Sequence, residues 1–316
     1  MSDVAMSSAV SVSAWWAPLA AVLLGLFVWG AAALDGLLTA HSEGARRGGA
    51  LTRPFDSAVR LLRQRRIVTL SADRLLWRIG GGGLVVAAIL MLAVTPLGRW
   101  TLSDLDVGVV WFNAMDVAVW ALVWLTGWGA NSVHPLVGGY RFLALALGYE
   151  LPLMFALVAP PIAAHSLNVG VIASTQGTVW NVVWMPVALV VYCIGVLAFS
   201  VWGPFAAPIG PDIAGGVRAD LSGVDRLLVD SGRLALLVAG AAFAVPMFLG
   251  GGSGPLLPGW AWTLVKTAVL VALLVWLRRR LPVLRPDLLL EVGWLVLLPA
   301  ALLQDLVVAV VSVWVR

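Results

Sequence analysis

The chain has 316 residues, of which 61% are hydrophobic and 11% are charged, and its formal net charge is +4. A soluble domain carries about 45–50% apolar and about 25% charged residues, so this composition excludes a soluble fold. Apolar stretches that run unbroken for about 20 residues exclude a membrane β-barrel, whose strands alternate polar and apolar residues. We expect an all-α, polytopic membrane protein that forms one membrane domain over residues 1–316.

Eight apolar segments are long enough to cross a bilayer as helices. Gly and Pro interrupt several of them, which indicates a packed bundle whose neighbouring helices satisfy the freed backbone groups. The predicted spans are 16–34, 79–97, 107–127, 141–163, 179–201, 232–249, 260–277 and 289–312.

The basic residues mark one side of this bundle. Seventeen of the 20 Lys and Arg residues fall between alternate spans or within the first two residues of the span that follows, and nine of these lie in the first loop, residues 35–78. The positive-inside rule makes these loops cytoplasmic, so both termini are expected on the outer side of a bacterial-type cytoplasmic membrane. The basic charge then indicates contact with anionic lipid, and we expect no nucleic-acid partner.

Two of the cytoplasmic loops carry further signals. Residues 53–66 place Phe55, Val59 and Leu62 on one helical face with Arg on the other, which predicts an amphipathic helix at the membrane interface. A basic flank whose side chains snorkel to the interface is the alternative interpretation. Loop 202–231 is rich in Pro and Gly and only moderately polar, so we expect it to fold back as the wall of a cavity.

Ionisable residues inside the spans are the first functional candidates, since each costs about 2.5–3.5 kcal/mol on insertion scales. Glu150 lies midway along the fourth span, and Pro152 follows it and loosens the helix. Asp116 lies near the middle of the third span. Proton exchange is one interpretation of these carboxyls, and structural pairing is the other. The same alternatives stay open for Asp305. For Lys266, near the start of the seventh span, the alternatives are a functional role and a side chain that snorkels to the outer interface.

The sequence offers little for metal, haem or nucleotide binding. It contains one Cys and three scattered His, without a ligand spacing and without a Walker loop. We therefore expect no metal and no cofactor to be bound by this chain alone. The run Gly80–Gly83 opens the second span and predicts close helix packing.

In chain order, these segments resemble the H-type membrane subunit of respiratory complex I, and its homologues in energy-converting [NiFe] hydrogenases, from about residue 34 to residue 308. The resemblance is strongest in the last two spans, residues 262–299. The matching positions outside that stretch are Arg47-Gly48, Pro54, Arg60–Leu62, Ala72–Arg74, Ser132, Gly138, Arg141, Tyr149, Glu150 and Pro152.

The resemblance implies a non-catalytic subunit that joins a redox arm to the membrane arm of a proton-translocating oxidoreductase. Such a subunit lines a quinone-type cavity and begins a path of buried carboxylates. Its partners would be antiporter-like membrane subunits and a peripheral arm with iron–sulfur clusters. The proton path would use Glu150, Asp116, Arg141, Asp220 and Asp212, the cavity wall Trp202, Phe205 and Asp35, and the redox-arm contact Arg46, Arg47 and Arg60.

Several positions depart from the family pattern. Residues 199–202, Phe-Ser-Val-Trp, replace a polar Glu-Thr-Asn-Arg stretch, and Ala206 stands where the family has Asp. Fewer carboxylates and arginines on this loop indicate a divergent member. A subunit of a hydrogenase-like complex without quinone chemistry and a stand-alone proton-coupled transporter are the alternatives.

Overall fold

The computed structural model describes residues 9–42, 49, 51–177, 179–210 and 215–314. Over these residues the chain is helical apart from short connections and one two-stranded ribbon, which confirms the all-α prediction. The helices are α1 (Ala17–Ser42), α2 (Arg53–Arg63), α3 (Arg74–Ala93), α4 (Gly108–Gly129), α5 (Val133–Ala164), α6 (Val169–Thr175), α7 (Asn181–Trp184), α8 (Pro186–Phe199), α9 (Gly223–Phe248), α10 (Gly259–Arg280), α11 (Pro286–Val292) and α12 (Leu298–Trp314).

Seven helical segments within the described residues are long and apolar enough to cross a membrane. The predicted fifth span, 179–201, is different, because it is broken into α7 and α8 at Met185. Pro186 begins α8, and a proline lacks the N–H that would continue the helix from α7. The 14 residues of α8 extend about 21 Å, which is shorter than a full span of about 30 Å.

Several helices extend beyond the predicted spans. Helix α5 begins at Val133, before the expected start at 141, and it ends where His165 adopts a left-handed conformation with φ of 51°. Helix α1 continues to Ser42, so it includes the start of the expected first loop, 35–78. The expected amphipathic segment forms α2, with Phe55 and Leu62 exposed.

Different contacts hold the helices together at the two ends of the bundle. At one end, which we call the basic end, the N–H of Asp73 donates to the carbonyl of Gly129, and the Arg66 guanidinium pairs with Asp225. At the other end, strand β1 (Val10–Ser11) pairs in parallel with strand β2 (Trp100–Thr101). The first two contacts place the end of α4 and the starts of α3 and α9 at the basic end. Arg278 at the end of α10 pairs with Asp35 of α1 and lies over Trp202 just after α8. Arg233 of α9 lies over the same ring.

Helix α9 forms the centre of the bundle. Every residue from 235 to 248 is buried, and α9 packs against α1, α3, α8 and α10. Helix α1, by contrast, is largely exposed along its length. Helix α5 is the second central helix, and it packs against α4, α8 and α12.

The glycine run in the first half of α3 allows close helix packing, as predicted. A Cβ on Gly80 would lie 2.7 Å from the carbonyl oxygen of Leu122 and would also clash with the Thr126 side chain. A Cβ on Gly82 would meet no atom within 4 Å. The two positions are therefore matched sites that differ only in the space around them.

We expect Gly80→Ala to lower the free energy of unfolding by about 1–3 kcal/mol, since the backbone of α4 leaves no room for the methyl group. Gly82→Ala should raise it by about 0.5–1 kcal/mol, because alanine is the better helix former. Thermal unfolding of the full chain in mild detergent measures both. Equal stability of the two variants would contradict the close contact between α3 and α4.

Candidate functional site

Two carboxyl groups meet between α4 and α5 in the middle of the bundle. Asp116 is completely buried and the residue Glu150 is 7% exposed. The two carboxyl groups are close enough to interact electrostatically. The structure therefore brings together the two acids that the sequence singled out on separate spans.

Three neutral side chains surround this pair. The Asn113 amide donates to Oε1 of Glu150 at 3.4 Å, and the Tyr149 hydroxyl donates to Oδ1 of Asp116 at 3.4 Å. The Trp120 indole N–H donates to the Tyr149 oxygen at 3.1 Å. Sequence reasoning missed Asn113 and Trp120, although their spacing of three and four residues from Asp116 places all three on one helical face.

Each carboxyl keeps one oxygen without a partner. Three buried side-chain oxygens accept no hydrogen bond from any described residue: Oδ2 of Asp116, Oε2 of Glu150 and the amide oxygen Oδ1 of Asn113. An unsatisfied buried acceptor costs about 1–3 kcal/mol, and two adjacent negative charges repel each other in a low-dielectric interior. A proton shared within the pair, or water that enters it, relieves both costs.

Helix α5 is weakened beside the pair. Pro152 has no N–H, so the carbonyl of Gly148 lacks its usual helical donor. Gly293 packs directly against that carbonyl, where a Cβ would clash. The short π-helical segment Gly293–Leu297, a type of distortion that occurs often at functional sites, begins at the same contact.

Arg141 and Asp220, two of the other predicted proton-path residues, lie nearer the basic end. Arg141 is nine residues before Glu150 on α5, or about 13.5 Å along the helix, and its guanidinium donates to the carbonyl of Gly215 at 3.5 Å. Asp220 has a buried Oδ2 without a partner in the described part of the chain. Asp212 lies outside the described residues. The structure thus separates Arg141 from the carboxyl pair by the length of α5 between them.

A cluster of charged and aromatic groups lies at the basic end, where we predicted a cavity wall. Asp35 forms ion pairs with Arg278 at 2.6 Å and with Arg279 at 2.9 Å. The Arg278 guanidinium lies 4.3 Å from the centre of the Trp202 ring, and that of Arg233 lies 5.6 Å from it. Trp202 therefore packs between two cations, an arrangement that stabilises both charges.

The cluster contains unused hydrogen-bond donors. Trp202 and Phe205 are almost fully buried. Neither the Trp202 indole N–H nor the Nε–H of Arg233 has a partner among the residues that the structure describes. A second Arg233 nitrogen donates to the carbonyl of Val201. Two adjacent buried donors without acceptors suit a carbonyl oxygen or a water molecule.

A polar cavity of about 940 Å³ opens between α2 and the start of α9. Arg60, Arg226 and Asp230 line it, and Arg226 lies 3.7 Å from Asp230. Arg60 thus lies at the surface of the basic end, where we expected a contact with a redox arm. Arg46 and Arg47 lie outside the described residues.

Lys266 binds the loop that follows α9. Its ammonium donates to the carbonyls of Leu249, Gly251 and Ser253 at 2.6–2.9 Å, and it lies 4.1 Å from the centre of the Trp180 ring. These carbonyls lie just beyond the end of α9, where the helix supplies no N–H groups to bind them. Lys266 therefore stabilises the loop after the central helix by direct hydrogen bonds.

Asp305 and Gln304 lie beside the break between α7 and α8. The Gln304 amide donates to the carbonyl of Trp184 at 3.1 Å, and Oδ1 of Asp305 has no partner in the described ranges. Within those ranges, no three His, Cys, Asp or Glu side chains are close enough together to hold a metal ion.

The comparisons with known proteins identify the family. The family model described as NADH dehydrogenase matches residues 39–309. The chain is 33% identical over 277 residues to the second H-type subunit of NADH-quinone oxidoreductase from Geobacter sulfurreducens, a match that covers 84% of each chain. It is 34% identical over 298 residues to the second H-type subunit of the same enzyme from Cereibacter sphaeroides, a match that covers 92% of each chain. The chain therefore belongs to the NADH dehydrogenase family of membrane subunits, as a divergent relative of the H-type subunit.

Proposed function

We propose that this chain joins the membrane arm of a complex I-like oxidoreductase to its redox arm, and that its buried carboxyl pair begins a proton path. The observation that carries the proposal is the pair itself. Asp116 and Glu150 are buried together, each with one oxygen that accepts no hydrogen bond from the described residues. Buried polar atoms usually have a hydrogen-bond partner, so unpaired oxygens on two neighbouring acids support an exchange of protons with water.

The path would continue from the pair toward the basic end. Arg141 lies on the same helix as Glu150, and Asp220 offers a buried oxygen without a described partner. Asp212 belongs to the same loop in sequence. Water would carry protons between the pair and the aqueous side, with Asp220 and Asp212 as the exchanging carboxyls and Arg141 as a fixed positive charge beside the path.

A quinone-type cavity would lie against the cluster of Trp202, Phe205 and Asp35, and partner subunits would complete it. The unpaired N–H donors of Trp202 and Arg233 support this position, because a quinone headgroup presents carbonyl oxygens. Arg233 and Arg278 flank the indole, so the wall is positive and would stabilise negative charge on a reduced headgroup.

A peripheral arm that carries iron–sulfur clusters would contact the basic end through α2. Arg60 lies in the polar cavity beside α2, and Arg46 and Arg47 are close to it in sequence. The exposed Phe55 and Leu62 on the other face of α2 suit insertion among anionic lipids. Antiporter-like membrane subunits would flank the bundle, and both termini would lie on the outer side.

One observation favours the second candidate, a hydrogenase-like complex without quinone chemistry. Phe199 stands at the start of the stretch where the family pattern has acidic and polar residues. It is completely buried and makes an edge-to-face contact with Phe112, with ring centres 6.3 Å apart. The position belongs to the aromatic core, so a carboxylate route through it is absent here.

The proton path predicts a loss of function at Glu150. Glu150→Gln should abolish proton translocation and leave assembly intact, because the amide keeps the volume but exchanges no proton. Glu291→Gln is the matched control, since Glu291 is exposed on α11. Vesicles that contain the intact complex, with a fluorescent pH indicator, report translocation. Normal translocation in Glu150→Gln would reject the path.

A stability comparison separates a functional acid from a structural one. Asp116→Asn should keep or raise the free energy of unfolding by up to about 1 kcal/mol, since a neutral amide removes an unsatisfied charge. Asp225→Asn should lower it by about 1–3 kcal/mol, because Asp225 makes two hydrogen bonds to Arg66. Thermal unfolding in detergent measures both. A large loss of stability in Asp116→Asn would show that Asp116 has a structural role.

The assembly itself is testable by composition. Purification of the chain from its native membrane in mild detergent should recover iron–sulfur subunits with it, as mass spectrometry of the intact complex would report. Quinone-binding partners would favour the first candidate, and a nickel–iron subunit would favour the second. Recovery of the chain without any redox subunit, together with substrate flux in liposomes, would support a transporter instead.

A further inference from the structure

A second cavity lies far from the basic end, between α1, α3, α9 and α10. Its volume is about 570 Å³, which falls within the range of about 300–1,000 Å³ that is typical of small-molecule sites. Along α1 it extends from Trp16 to Phe27, a distance of about 16 Å. Ala242 of α9 and Leu264 of α10 form the opposite wall. The cavity is thus a deep apolar slot beside the peripheral helix α1.

Backbone contacts fix the rim of this cavity. Strand β1 pairs with β2 next to it, and the N–H of Val10 donates to the carbonyl of Arg99 at 2.7 Å. Gly98 has a φ of +65°, and a Cβ there would lie 2.7 Å from the backbone nitrogen of Trp260. These contacts hold the rim in one arrangement, so the slot is a defined feature of the fold.

The hydroxyl groups in the wall are already used. Thr95 donates to the carbonyl of Met91 at 3.0 Å, and Thr267 donates to that of Thr263 at 2.8 Å. Thr263 donates to the carbonyl of Gly259 at 3.1 Å. The wall therefore offers an occupant mainly apolar contacts, which favours a hydrocarbon chain over a polar solute.

A positive charge stands at the mouth. Arg99 is exposed, and its guanidinium lies 5.6 Å from the centre of the Trp100 ring, which lines the cavity. Trp16 and Trp260 also line it and are about half exposed. Tryptophan is enriched at the level of the lipid headgroups, and arginine binds phosphate through paired N–H donors. The mouth thus combines a phosphate-binding group with an interfacial aromatic rim.

We propose that this cavity binds one phospholipid from the leaflet that meets the N-terminal end of α1. One acyl chain fills the slot along α1, and the headgroup phosphate pairs with Arg99. The bound lipid fills the space between α1 and the rest of the bundle.

A cavity-filling substitution with a matched control tests the acyl-chain site. Ala20 lines the cavity, whereas its neighbour Ala21 is exposed and does not. The intact complex is incubated with radiolabelled phosphatidylglycerol, washed with detergent, and the label retained per complex is counted. We expect Ala20→Phe to retain about tenfold less than the wild type, and Ala21→Phe to match the wild type. Equal retention by both variants would overturn the proposal.

A second pair of variants tests the headgroup contact without altering the slot. Arg99→Gln should weaken binding of the same phosphatidylglycerol about fivefold, since one arginine near a lipid surface contributes about 1 kcal/mol. Arg99→Lys keeps the charge and should restore most of the binding. Unchanged binding in Arg99→Gln, or the recovery of a quinone in place of phospholipid from the washed wild-type complex, would overturn the assignment.

Discussion

The constraint behind this structure is that a polar group in the hydrocarbon core must find a partner inside the protein. The end of α9 illustrates it. Pro246 interrupts the central helix there, and the side chains of Gln176 and Asn181 reach its carbonyls, while the Lys266 ammonium binds three carbonyls of the loop beyond. Because α9 packs against four other spans, this local satisfaction supports the whole bundle.

The buried carboxyl pair is one of the exceptions to this constraint. Asp116 and Glu150 are two neighbouring acids in the middle of the bundle, and each retains an oxygen without a partner among the described residues. The surrounding donors from Asn113 and Tyr149 reach only one oxygen of each acid. The proposed proton exchange rests on this feature, two neighbouring intramembrane acids whose oxygens are only partly paired.

Much of the architecture was predictable from the sequence, because composition and apolar length decide which segments enter a membrane. The contacts of Gly80 followed from the glycine run, and Asp116 and Glu150 stood out as charges in apolar surroundings. The break at Met185 was missed, since the apolar run continues through it and hides the effect of Pro186. Asn113 and Trp120 were missed because a neutral polar side chain can be recognised as part of a site only once its contact with a neighbouring helix is known.

The short helix α8 has a consequence for the membrane itself. At about 21 Å it is shorter than the hydrocarbon layer of about 30 Å, and Val183, Val187 and Val190 along α7 and α8 are exposed. Helix α8 packs on α5, where Gly195 meets Leu153 close to the carboxyl pair. Hydrophobic mismatch at this face favours local thinning of the bilayer, at a cost of fractions of a kcal/mol per Å. Lipid thickness thereby becomes a variable that acts on the packing between α8 and α5.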